Sequence, residues 1–196
     1  MNKLELLNKL EEYNINIFRL QDIQMLFPNE KYLATDLKRL TDNKGIIRLF
    51  KGQYVLLNHK ISTEEIVQQI YYPSYVSFQS ALFIHGIVDQ GPNQIVLATT
   101  NRQKSLSILG TQIQFNHIKP SLYFGYVFDK NIFMAEPEKA ICDMLYLNFT
   151  NKISTDVNSW YLKNIDFVKL QNYLNPFGKR FIKYVKDTNL INIIKP

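Results

Sequence analysis

Residues 46–57, IIRLFKGQYVLL, constrain the fold more than any other stretch. Two β-rich runs flank Lys51-Gly52, the pattern of a hairpin. Three short helical patterns precede it. In residues 3–13, Leu4, Leu7 and Leu10 recur at helical spacing with charges between them. Asn14 to Asn16 break that period. A second helix is predicted over about 19–27, carrying Leu20, Ile23 and Leu26 or Phe27, and Pro28-Asn29 ends it. A third is predicted from about Glu30 to Asn43, with Gly45 just past its end, where a left-handed C-cap belongs. Three short helices followed by a hairpin is the order of a winged helix-turn-helix. Other small folds share that order, so the order alone leaves the choice open.

The third helix carries the candidate chemistry. With Leu33 at the centre of its inner face, Leu37 and Leu40 fall within about 40° of it. Lys31, Thr35, Lys38, Arg39 and Asp42 collect on the opposite side. In helix-turn-helix proteins this helix enters the major groove. Arg and Lys grip guanine edges or phosphates, and Thr contacts a base or the backbone. The same face also fits the solvated side of an ordinary helix. The hairpin weighs toward DNA: Arg48 and Lys51 lie in or beside its turn and Lys44 in the preceding loop, where they can touch phosphates.

The charge distribution is compatible with this. The chain of 196 residues has a formal net charge of +6. Residues 1–60 carry 10 Lys/Arg against 7 Asp/Glu, residues 61–150 carry 5 against 7, and residues 151–196 carry 8 against 3. The positive charge therefore sits at the two ends. A basic balance permits nucleic-acid binding without proving it. The one cysteine, Cys142, allows no internal disulfide. The opening MNKLELLNKLEEY lacks an uninterrupted apolar core of the signal-peptide kind. No apolar run approaches the roughly 20 residues a membrane span needs. A cytoplasmic location with no membrane partner is expected.

The second half mixes helices and strands. Ser62 and Glu65 stand at capping-box spacing ahead of a helix over 61–71 that Pro73 closes. A short helix fits 77–85, capped by Ser77 and stopped by Gly86, with His85 placed to cap its end. Residues 94–134 are β-rich, in the runs QIVLAT, TQIQFNHI, LYFGYVF and NIFM. Pro137 opens a helix over 137–148. Two more helices fit about 166–173 and 177–188. The basic residues Lys179, Arg180, Lys183 and Lys186 form either a second phosphate-contacting strip or the solvated face of a terminal helix.

Enzyme signatures are weak. His59, His85 and His117 are far apart and lack a companion Cys pair, so no zinc motif is formed. Walker, dinucleotide-binding and Gly-x-Ser-x-Gly motifs are missing. Cys142 sits on a mostly apolar helix, as a structural thiol does. Glu136, Glu138 and Asp143 could hold Mg²⁺ for phosphodiester chemistry. Glu136 and Glu138 flank Pro137 at a helix start, however, where the helix dipole already favours negative charge.

The motifs resemble those of the AbiEi-type antitoxins of type IV toxin–antitoxin and abortive-infection (phage-defence) systems. NKGIIRLFKGQYVL, 43–56, is similar to that family's wing. YVSFQSALFIHGI (75–87), LGTQIQFNHIKPSLYFGY (109–126) and AEPEKAICDMLYL (135–147) resemble its later motifs in order and spacing. The resemblance implies a winged helix that binds promoter inverted repeats in double-stranded DNA and represses its own operon. It also implies a second domain that neutralises a nucleotidyltransferase toxin without a stable complex. DNA contact carries over onto Arg48 and Lys51. No residue of the second domain receives a role in this way.

The expectation is therefore an α+β protein, with a winged helix-turn-helix over 1–60 and a mixed α/β domain over 61–196 built on a central sheet with flanking helices. The expected DNA-binding residues are Lys31, Thr35, Lys38, Arg39, Lys44, Arg48 and Lys51. No catalytic residue, metal site or cofactor is expected. The alternatives are a stand-alone winged-helix repressor without a toxin, a metal-dependent nucleic-acid enzyme using the three carboxylates, and a protein-interaction adaptor.

Overall fold

Apolar spacing in the first 56 residues builds a small helical layer on a three-stranded sheet. The computed structural model describes residues 3–13, 15–49, 52–56, 61–152 and 156–188. Helix α1 (Lys3–Glu12) buries Leu6 and Leu10. Strand β1 (Ile17–Arg19) runs directly into α2 (Leu20–Leu26), which buries Ile23. Helix α3 (Leu33–Asp42) buries Leu33, Leu37 and Leu40, the expected inner face. Strands β2 (Ile46–Arg48) and β3 (Gln53–Leu56) follow. All pairings are antiparallel in the order β1-β3-β2. The α1–α3 leucines, Phe18, Ile23, Phe27, Ile46 and Leu56 form one core. Each such side chain, once buried, contributes roughly 1.5–3 kcal/mol.

Three sequence expectations change here. Strand β1 is new: it has only three residues and no turn separates it from α2, so no periodicity announces it. Helix α3 begins at Leu33, which puts Lys31 in the turn before the helix and off its face. The left-handed residue after α3 is Lys44, at φ 55°, and Gly45 follows it. The helix ends one residue earlier than predicted. The amide of Lys44 donates to Thr41 O (3.0 Å) and that of Gly45 to Leu40 O (2.9 Å), a Schellman closure.

The chain divides into two units, Met1–Ile70 and Tyr71–Pro196. Helix α4 (Thr63–Ile70) thus groups with the first unit, ten residues beyond the boundary read from the sequence. The Ser62 hydroxyl accepts from the Glu65 amide at 3.1 Å.

The second unit is a mixed six-stranded sheet with helices. Its strands are β4 (Ser74–Val76), β5 (Gln94–Thr99), β6 (Lys104–Ile108), β7 (Thr111–His117), β8 (Tyr126–Asp129) and β9 (Ile132–Ala135), in the order β6-β7-β5-β4-β9-β8. The β5–β7 and β4–β9 pairs are parallel and the others antiparallel. Helix α5 (Phe78–Ile84) packs on β5 and on α6 (Pro137–Asn151). Helices α7 (Phe167–Leu174) and α8 (Lys179–Asp187) pack on α6 in turn. Helix α6 is central: it buries residues on every side, including Glu138, Lys139 and Asp143.

The predicted strand over 122–128 is replaced by a single 3-10 turn, Pro120–Leu122, and β8, which starts at Tyr126. Gly125 separates them at φ +70°, and a Cβ there would lie 3.1 Å from Lys139 Cβ and 3.0 Å from the Tyr173 ring. The chain crosses the Lys139 stem so closely that only glycine passes. Strands β4 and β6 are further additions; the first has three residues, and the second, KSLSI, mixes a polar edge with two apolar positions.

Candidate functional sites

The first candidate site is the outer surface of α3 with the segment behind it. Thr35, Lys38 and Arg39 are exposed on α3, and Lys31, Lys44 and Arg48 are exposed beside it in sequence. Arg39 is held by Asp36 on the preceding turn, at 3.6 Å. Among the described residues, Lys38, Lys44 and Arg48 have no carboxylate partner. Arg48 stands opposite Tyr54 across the β2–β3 pair. Lys51 and His59 lie outside the described residues. Lys44 occupies a left-handed conformation that costs a non-glycine residue roughly 1–2 kcal/mol, so this charge is held where glycine would be easier.

The second site is a buried polar network at the centre of the second unit. Lys139 and Asp143, four residues apart on α6, form an ion pair whose side chains are both fully buried. Asp143 Oδ2 also accepts from the Tyr75 hydroxyl on β4 and the Ser77 hydroxyl, each at 2.8 Å. Ser77 precedes α5 but does not cap it with its side chain, as the sequence suggested; its hydroxyl is spent on Asp143. The Lys139 ammonium lies 5.0, 5.3 and 5.7 Å from the ring centres of Phe124, Phe177 and Tyr75. The faces of those rings supply the rest of its charge stabilisation.

Burial pushes the Asp143 carboxyl up, and Lys139, Ser77 and Tyr75 draw it only part of the way back. Burial, then the charge on Asp143, raises the Tyr75 hydroxyl well above its ordinary range. Burial also pushes the Cys142 thiol far up, which keeps it protonated and a poor nucleophile.

The other two carboxylates of the acidic group are engaged separately. Glu136 accepts from Lys169 Nζ at 2.7 Å and from the Tyr173 hydroxyl. Burial alone would raise its carboxyl, but those two hydrogen bonds and the Lys169 charge outweigh it, and the net direction is down. Tyr173 is pushed up to about 12, first by burial and then by Glu136. Glu138 is buried; its Oε1 accepts from the Asp166 amide at 3.0 Å, and its Oε2 lies 3.5 Å from Lys169 Nζ without a hydrogen bond. Among the described residues, no group of three or more His, Cys, Asp or Glu side chains is placed to hold a metal ion.

His85 does not cap α5. Its Nε2 lies 2.8 Å from the carbonyl of Ala135 at the end of β9, and Gly86, at φ +67°, closes the helix instead. Lys179, Arg180, Lys183 and Lys186 are exposed on α8, while Phe181 and Val185 turn inward. Sequence reasoning misses Lys139, Lys169, Tyr75 and Tyr173 as partners of the acidic group. The i,i+4 spacing of Lys139 and Asp143 is a usable signal for the first pair.

No protein-family model matches the chain, and no curated protein matches it significantly. No helix among the described residues is long and apolar enough to cross a membrane.

Replacing Lys139 with Ala should leave Asp143 buried without its counter-charge and destabilise the second unit by about 3–5 kcal/mol. Urea unfolding followed by fluorescence of Trp160, the single tryptophan, measures this. Pairing Lys139→Met with Asp143→Leu should recover much of the loss. A single-variant loss below about 1 kcal/mol would mean that Tyr75 and Ser77 alone carry the carboxyl.

Proposed function

We propose that this chain is a DNA-binding transcriptional autorepressor that also acts as the antitoxin of a type IV toxin–antitoxin system, opposing a nucleotidyltransferase toxin without holding it in a stable complex. The observation that carries the DNA half is the division of α3. Leu33, Leu37 and Leu40 are buried, while Thr35, Lys38 and Arg39 face solvent. The order α1, β1, α2, α3, β2, β3 with its antiparallel three-stranded sheet supports a winged helix. In that reading α2 and α3 form the helix-turn-helix, and β2 and β3 form the wing. Side chains of α3 would then read base edges, while Lys44, Arg48 and Lys51 neutralise phosphates. The charge kept at Lys44 against its backbone preference favours this role for it. The antitoxin half rests on the resemblance of residues 75–147 to the AbiEi-type motifs.

Binding to a promoter inverted repeat should be tight and should weaken with salt. Changing Lys38, Arg39 and Arg48 together to Ala should weaken it by about 1–3 kcal/mol per base-reading side chain, and lower the salt slope by roughly one for each phosphate-neutralising cation removed. Fluorescence anisotropy across a salt series reads both, and unaltered promoter affinity in the triple variant would sink the site assignment. Co-expression with the product of the adjacent reading frame tests the antitoxin half. Growth should be arrested by the neighbour alone and restored by this chain. Lack of toxicity in the neighbour, or lack of rescue, would reduce the protein to a stand-alone repressor.

A further inference from the structure

One face of the second sheet changes character between adjacent strands. On β5, Val96 and Ala98 join the core with residues of α5 and α6. Their register partners on β7 are Gln114 and Asn116. The same face is therefore apolar on one strand and polar on the next. At that edge lies an open cleft of about 320 Å³, near the carboxyl ends of the parallel strands β5 and β7. Small-molecule sites occupy about 300–1,000 Å³ and favour this end of parallel strands.

The cleft lining is organised. Asn116 is only 7% exposed. Its Oδ1 accepts from Gln114 Nε2 at 3.3 Å, and Gln114 Oε1 in turn accepts the Ser105 hydroxyl. This chain fixes the amide and leaves Asn116 Nδ2 with no partner among the described residues, at the cleft wall. His117 Nδ1 lies 2.9 Å from the Asn101 carbonyl. The proton is thereby held on Nδ1, which leaves Nε2 free. Lys119 is exposed at the rim and has no carboxylate partner among the described residues. No Asp or Glu is among the lining residues. The rings of Phe78 and Tyr146 supply apolar wall. Phe78 is 1% exposed and held at φ 54°. Left-handed backbone at a bulky residue is costly and gathers at functional sites.

We propose that this cleft binds a nucleoside monophosphate, with Lys119 and His117 on the phosphate and the fixed Asn116 amide on a hydrogen-bond acceptor of the heterocycle. The ammonium and the lack of any carboxylate select an anion. The free amide donor and the aromatic wall select a flat, polar ring over a bare phosphate. The site stands apart from the proposed DNA-reading face and does not depend on it.

Isothermal titration of the full chain with AMP, GMP, CMP and UMP tests the proposal, with inorganic phosphate, the free nucleosides and a short 5′-phosphorylated single-stranded oligonucleotide in parallel. At least one monophosphate should bind more tightly than its nucleoside and than inorganic phosphate. Lys119→Ala, an exposed change that spares the fold, should weaken that binding about tenfold or more. Asn116→Asp, which swaps the donor for a carboxylate, should abolish it, with circular dichroism confirming the fold. Four results would overturn the proposal. They are no binding by any monophosphate, equal binding by inorganic phosphate, unchanged binding in Lys119→Ala, or binding by the oligonucleotide alone, which would assign the cleft to a nucleic-acid end.

Discussion

The buried pair of Lys139 and Asp143 sets the terms for the second unit. A charged pair removed from water is tolerated only when its remaining hydrogen-bonding capacity is met. That requirement draws in the Tyr75 hydroxyl from β4 and the Ser77 hydroxyl ahead of α5, and so fixes α6 against both elements. It also draws in three aromatic rings around the ammonium. Gly125 is held at its position by the same lysine stem. Residues spread over 75–177 thus converge on two side chains, and the helix that carries them is the one on which α5, α7 and α8 pack.

This arrangement also accounts for the acidic group. Three carboxylates within eight residues resemble a metal-binding set in the sequence. In the fold each meets a different partner: Asp143 an internal lysine, Glu136 the Lys169 and Tyr173 pair, and Glu138 a backbone amide and the edge of the Lys169 charge. The first unit puts its charge to opposite use. Its cations stand exposed around α3, and only Arg39 among those of α3 has an acidic neighbour.

The features legible in the sequence follow from local rules. The 3.6-residue period of Leu33, Leu37 and Leu40 marks the inner face of α3, and Pro137 marks the start of α6. The β2–β3 hairpin follows from the runs flanking its turn. The hidden features depend on distant partners. The hydroxyl of Ser77 looks like a helix cap because its true acceptor is 66 residues away. His85 looks like a cap for the same reason; its partner is the carbonyl of Ala135, 50 residues on. Strand β1 is legible only through its pairing with β3. The helix end at Lys44 is displaced by one residue because glycine is the usual left-handed residue and here stands one place later. The polar face of β7 is visible as the alternation TQIQFNH, but its meaning depends on the apolar strand beside it.

Contact between DNA and α3, with the segment following it, is the claim on which the functional reading stands. Hydrogen exchange of the full chain, with and without a promoter fragment carrying the inverted repeat, tests this without altering any residue. Added protection should concentrate in residues 33–49. Protection confined to the second unit, or no protection at DNA concentrations that saturate binding, would contradict it.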